Sequence, residues 1–156
     1  MESQPRQRLE PAQILAAFLG LMLVSSSLEA IWYLGIAQEV YLQRIGGLMN
    51  AQFDVFVAFL FYLLYSLGAM IFAVRPALLA GSRRHAVQMG GLYGFFCFSA
   101  HNLTDLADVK GFSWEITIID MAWGTFMTAC ACALAYTLGR CMGKAAPMKA
   151  STPEAR

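Results

Sequence analysis

The chain has 156 residues, 58% of them hydrophobic and only 13% charged, with a net charge of +1. A soluble domain carries about 25% charged residues, so this composition, with a mean hydropathy of +0.54, is that of a membrane protein. The balanced charge excludes nucleic acid as a partner, because no basic face exists to neutralise phosphates, and the length leaves no room for a second domain.

Residues 1–11 form a polar tail in which Glu2 and Glu10 dilute Arg6 and Arg8. The apolar run that follows passes signal-peptide length and continues into Trp32 and Tyr33. It therefore reads as a retained helix and signal anchor, and the acids argue against a mitochondrial presequence. Four helices are predicted, over residues 12–37, 55–79, 86–109 and 114–140, within a membrane domain spanning 12–142. Each exceeds the roughly 20 residues that cross about 30 Å of hydrocarbon. Backbone groups in lipid must be satisfied within their own segment, and no strand-type alternation is present, so the fold class is an all-α four-helix bundle. Residues 143–156 form a second polar tail.

Arg6, Arg8, Arg75, Arg83, Arg84, Arg140, Lys144, Lys149 and Arg156 fall on one side, nine of the eleven cations, leaving Arg44 and Lys110 on the other. By the positive-inside rule both termini face the cytoplasm or its topological equivalent. That makes the plasma membrane the location in a bacterium and the mitochondrial inner membrane the location in a eukaryote. In the first connection Val40, Tyr41, Leu42, Ile45, Leu48 and Met49 recur at near-helical spacing, which predicts a short amphipathic helix at the outer interface. In the second helix Phe53, Phe56, Phe59, Phe61, Tyr62 and Tyr65 form an aromatic wall toward lipid or a partner. Gly90 and Gly94 make a Gly-x-x-x-Gly pair, which lets helices approach closely without by itself establishing a dimer. Cys97, Cys130, Cys132 and Cys141 lack metal-ligand spacing and read as small packing residues.

The candidate site is a polar layer toward the outer ends of three helices. Glu29 comes from the first, His101, Asn102, Thr104 and Asp105 from the third, and Asp120 from the fourth. Cys97, His101 and Asp105 follow at i, i+4 and i+8 on one helix face. Charges in hydrocarbon cost roughly 2.5–3.5 kcal/mol each at the centre, so these groups are expected to face the interior. Glu29 precedes Trp32, and Asp120 precedes Trp123, by one helical turn, which makes both indoles packing partners of the acids. Three uses of the layer follow. It is a clasp that fixes helix register, a proton or small-solute site, or a metal site of His101, Asp105, Glu29 and Asp120. The last is disfavoured because His85, the second histidine, lies at the opposite interface, so no metal is assigned. Signatures of hydrolases, zinc proteases, P-loops and dinucleotide folds are absent, and no catalytic residue is assigned. No cofactor is expected, though a bound lipid fits between such helices.

Several segments resemble one family. Phe-Tyr-Leu-Leu-Tyr at 61–65, Phe-Ala-Val-Arg-Pro-Ala-Leu at 72–78, Gly-Leu-Tyr-Gly-Phe-Phe-Cys at 91–97, Ile-Asp-Met-Ala-Trp-Gly at 119–124 and Glu29-Ala-Ile-Trp32 carry the likeness, over about residues 14–136. They resemble a small, mostly bacterial family of predicted membrane proteins of unknown function, with some protist members. The resemblance implies a four-helix membrane fold and brings no reaction. Where the family has Thr-Tyr-Asp-Leu-Thr-Asn, this chain has Ala100-His101-Asn102-Leu103-Thr104-Asp105, and Glu29 replaces the family's Asp. Polarity is kept while identities move, which a clasp tolerates better than a catalytic centre. The sequence thus reads as a non-catalytic accessory subunit packed against other subunits of a membrane complex, such as an organellar respiratory one. The alternative is a small ion-coupled, proton-coupled or solute transporter using Glu29, Asp105 and Asp120. An enzyme acting on lipid or quinone near His101 is a third reading.

Overall fold

A computed structural model describes residues 8–45, 47 and 54–145, and among these all regular structure is helical. The described residues form four rods. The first is α1 (Pro11–Trp32), a π-helical turn (Tyr33–Ala37) and α2 (Gln38–Ile45). The second is α3 (Val55–Ala69), a π-helical turn (Met70–Val74) and α4 (Arg75–Ala80). The third and fourth are α5 (Arg83–Asp108) and α6 (Trp114–Ala145). Local chemistry sets the ends. Asp54 accepts hydrogen bonds from the N–H groups of Phe56 and Val57 at 3.0 and 3.1 Å, and Ser82 accepts from that of His85 at 3.2 Å. These side chains satisfy donors that the first turn of a helix leaves free. Gly81 ends α4 in the left-handed region at φ 62°, where a Cβ would be strained.

Among the described residues three segments, Pro11–Gly35, Val55–Ala80 and Trp114–Gly143, are long and apolar enough to cross a membrane. With its histidines, Asn102, Asp105 and Asp108, α5 is long enough to span yet more polar than the other three. It lies antiparallel along α6: Gly90 faces Cys132, and Gly94 faces Gly124 and Thr128. On its other side α6 holds α1, also antiparallel, with Gln13 donating to the Gly139 carbonyl at 3.2 Å. The Gly-x-x-x-Gly surface is therefore used within the chain. The cationic end is shared by Arg8 before α1, by Arg75, Arg83 and Arg84 at the α4–α5 corner, and by Arg140 late in α6.

Helix one extends beyond the expected residue 37, passing through the π-turn into α2. Polar Gln38 and Glu39 mark the edge of the hydrocarbon, but nothing in them stops a helix. Leu48, Met49 and Phe53, also assigned a place above, lie outside the described residues. In the second rod the π-turn stands just before Pro76. Proline has no N–H to give the carbonyl four residues back and its ring crowds that carbonyl, so the ladder opens by one residue.

The inner half of the bundle is dense. Ala17, Leu21, Ala69, Ala73, Val74, Ala77, Leu78, Ala131, Cys132 and Ala135 form its buried core. The outer half of α3 is different. Phe56, Phe59, Leu60, Phe61 and Leu64 are exposed, and the helix stands off from α5 and α6. The gap this leaves is where the polar residues gather.

Candidate functional site

A cavity of about 440 Å³ opens in the outer half. It is lined by Glu29 of α1, Tyr41 of α2, Phe61, Tyr62 and Tyr65 of α3, Cys97, Phe98 and His101 of α5, and Asp120 and Met127 of α6. All four rods contribute. Glu29 lies six residues before Gly35, and Asp120 six residues after Trp114, at the outer ends of their spans. At 1.5 Å per residue each acid sits about 9 Å inside the end of its apolar span, which puts the two at a similar depth.

Both acids are held by aromatic donors from another rod. Trp123 Nε1 donates to Glu29 Oε2 at 3.0 Å, and the Tyr41 hydroxyl donates to Asp120 Oδ2. The indoles of Trp32 and Trp123 stack, with centroids 4.6 Å apart and planes 11° from parallel. Acid and indole were expected to pair as neighbours one turn apart. The hydrogen bond instead crosses between helices, from the indole of α6 to the acid of α1. The Trp32 indole N–H is buried without a partner among the described residues. Tyr41 reaches Asp120 because helical side chains lean toward the N-terminus of their helix, which here means back toward the bilayer. Burial first, then the bond to Asp120 and the charges of Asp120, Glu29 and Asp105, hold the Tyr41 hydroxyl well above the ordinary tyrosine value. It stays a proton donor throughout the physiological range.

The opposite wall is aromatic. Tyr65 stacks on Phe61 at 5.5 Å and meets Phe98 edge-on at 6.4 Å. Its hydroxyl lies 2.5 Å from Thr128 Oγ1. Because Thr128 Oγ1 donates to the Gly124 carbonyl, Tyr65 must be the donor of this pair.

The expected polar layer separates into faces. Glu29, Asp120 and His101 line the cavity. His101 does so at its rim, with its side chain 69% exposed and Nε2 3.4 Å from Asp105 Oδ2, so it is not the buried group that the sequence implied. Asp105 is partly buried and does not itself line the space. Asn102 is fully buried on another face of α5, where its amide donates to the Phe98 carbonyl at 3.0 Å. Thr104 is exposed and donates to the Ala100 carbonyl at 2.7 Å. Residues at one depth on a helix still point in directions 100° apart, and depth alone had grouped them. Among the described residues no three His, Cys, Asp or Glu side chains converge as metal ligands. Tyr41, Tyr65, Phe98 and Met127 are cavity residues that the sequence did not assign to a site. A tyrosine alone in the polar first connection was the available signal for Tyr41.

A family model described as a predicted membrane protein (DUF2177) matches residues 14–137. The chain belongs to this family. Membership agrees with the helical architecture and its candidate spans, and it places the protein in a lipid bilayer. No curated protein and no solved structure matches the chain.

Proposed function

We propose that the protein is a non-catalytic carrier of a small solute, which enters the outer cavity and is held there by Glu29 and Asp120. The observation that carries this reading is the cavity itself, with two acids on one wall and aromatic rings on the other. A helix clasp needs the cross-helix bonds from Trp123 and Tyr41, but it needs no open space beside them. Among the described residues each acid receives one hydrogen bond, on one oxygen. The remaining carboxylate oxygen of each is available to a ligand. Apolar sites with a few convergent polar groups are the usual form of small-molecule pockets, and carboxylates at membrane depth commonly mark solute or proton paths.

A second reading, an accessory subunit of a larger complex such as a respiratory one, draws support from the exposed outer half of α3. Phe56 and Val55 there are 73% and 72% exposed, and a partner subunit or lipid would cover them. Two measurements separate the readings. Protein reconstituted alone into liposomes should give solute-driven currents that Asp120→Asn abolishes. Native mass in mild detergent should then show no larger assembly. A stable heteromeric assembly, with no current from the isolated chain for any solute in a broad panel, would overturn the carrier.

A further inference from the structure

On the reading of the cavity as a solute site, we infer that its ligand is a small organic cation: an ammonium head between Glu29 and Asp120 on an apolar or aromatic body against Phe61, Tyr62 and Phe98. Both acids line the same cavity, and Trp123, one turn from Asp120 on α6, bonds Glu29, so two like-charged groups that repel each other share this space. A second negative group would add to that repulsion, so an anionic solute is disfavoured. A neutral solute would leave both carboxylates without a counter-charge in a low-dielectric setting. An ammonium group carries three N–H donors and no acceptor, which suits the free oxygens of two carboxylates on neighbouring helices.

The rest of the lining selects an organic cation over an inorganic one. A bare metal ion would want three or more converging ligands, and the described residues supply no such group. A hydrated ion would gain nothing from Phe61, Tyr62, Tyr65, Phe98 and Met127, which make up half of the lining. Aromatic faces do attract cations, by about 0.5–2 kcal/mol according to how dry the site is. They also shelter the hydrocarbon part of the same molecule. The phenol of Tyr41 closes the outer end of the acid wall and keeps Asp120 turned toward the cavity.

Three probes with one body and different heads test this: phenethylamine, 2-phenylethanol and phenylacetate, titrated into the protein in nanodiscs. The stacked Trp32–Trp123 pair, whose Trp123 bonds Glu29, supplies the fluorescence signal, and empty nanodiscs correct for partition into lipid. The amine should bind saturably and about tenfold or more tighter than the alcohol, with the acid weaker still. Glu29→Gln and Asp120→Asn keep an acceptor for Trp123 and for Tyr41, and each should weaken the amine about tenfold while leaving the alcohol unchanged. If the alcohol binds as well as the amine, the cavity takes solutes but the cationic class is wrong. If no probe binds saturably, the solute site falls, and the cation with it. The head-group series on the unmodified protein decides the class even where a variant fails to fold.

Discussion

Gly94→Ala tests how the bundle is held. A Cβ at this position would lie 2.5 Å from the carbonyl oxygen of Gly124 and 2.7 Å from Thr128 Cβ. Carbon and carbonyl oxygen normally approach to about 3.3–3.6 Å in helix contacts, so α6 would have to retreat by roughly 0.8 Å or more. The obstacle is backbone, which cannot swing aside as a side chain can. Overpacking of this kind costs about 1–3 kcal/mol. Replacing glycine by alanine within a helix returns about 0.8–1 kcal/mol. Gly91 is the control, since a Cβ there meets nothing nearer than Ala129 Cβ at 3.6 Å, an ordinary contact. Gly91→Ala should therefore be neutral or stabilising by up to about 1 kcal/mol. Two substitutions of the same chemistry, one helical turn apart, should then differ by about 1–3 kcal/mol, with Gly94→Ala the less stable. Far-UV circular dichroism during unfolding in mixed detergent micelles measures both. Equal stability of the two variants, or a more stable Gly94→Ala, would refute the close α5–α6 seam.

Further outcomes follow from the site. Trp123→Phe removes the only hydrogen-bond donor to Glu29 among the described residues and should cost about 1–3 kcal/mol in the same unfolding assay; Trp32→Phe should cost less, because the Trp32 N–H has no partner among those residues. Gly124→Ala would drive a Cβ into the Phe98 ring; displacing that ring from the cavity wall should weaken phenethylamine about tenfold, whereas Gly91→Ala leaves binding unchanged. The folded-state value of Tyr41 lies above the ordinary 10.0, so the stability from its bond to Asp120 is complete below about pH 10 and is lost as pH rises through the folded value. The stability difference between the parent and Tyr41→Phe should be constant from neutral pH to about 10 and narrow above it, as read from unfolding midpoints against pH.

Hydropathy and charge asymmetry were enough to read the membrane class and the helical fold, because lipid leaves the backbone few choices. The depth of Glu29 and Asp120 was legible too, since depth follows from counting residues along a helix. Direction was not. Assigning a face needs the neighbour's position, so Asn102, Thr104 and His101 were grouped although the structure points them three ways. The Trp123–Glu29 bond was hidden for a related reason. Each acid stands one turn from an indole on its own helix, which favours the local pairing on paper. Stacking Trp32 on Trp123 brings the α6 indole to the α1 acid instead. The α2 extension was obscured by Gln38 and Glu39, which report where the membrane ends rather than where the helix ends.

The size of side chains along one rod explains why the site is at the outer end. In its inner part this rod carries Gly68, Ala69, Ala73 and Ala77, and three of these four are fully buried. Small residues let helices meet closely where lipid provides no hydrophobic drive between them. Toward the outer end the same rod carries Phe61, Tyr62 and Tyr65 along the cavity, which cannot be packed at that distance. Tyr65 marks the change, with its ring in the bundle and its hydroxyl on Thr128. Beyond it the rod must stand away. A wedge open at the outer end is the consequence, and Glu29 and Asp120 occur at the depth where it is open. The same acids three turns further in would meet the alanine core around Ala17 and Ala131, where no ligand could reach them. Shortening the aromatic side chains of α3 should therefore close the wedge rather than enlarge it, because they hold the rod apart as well as line the space.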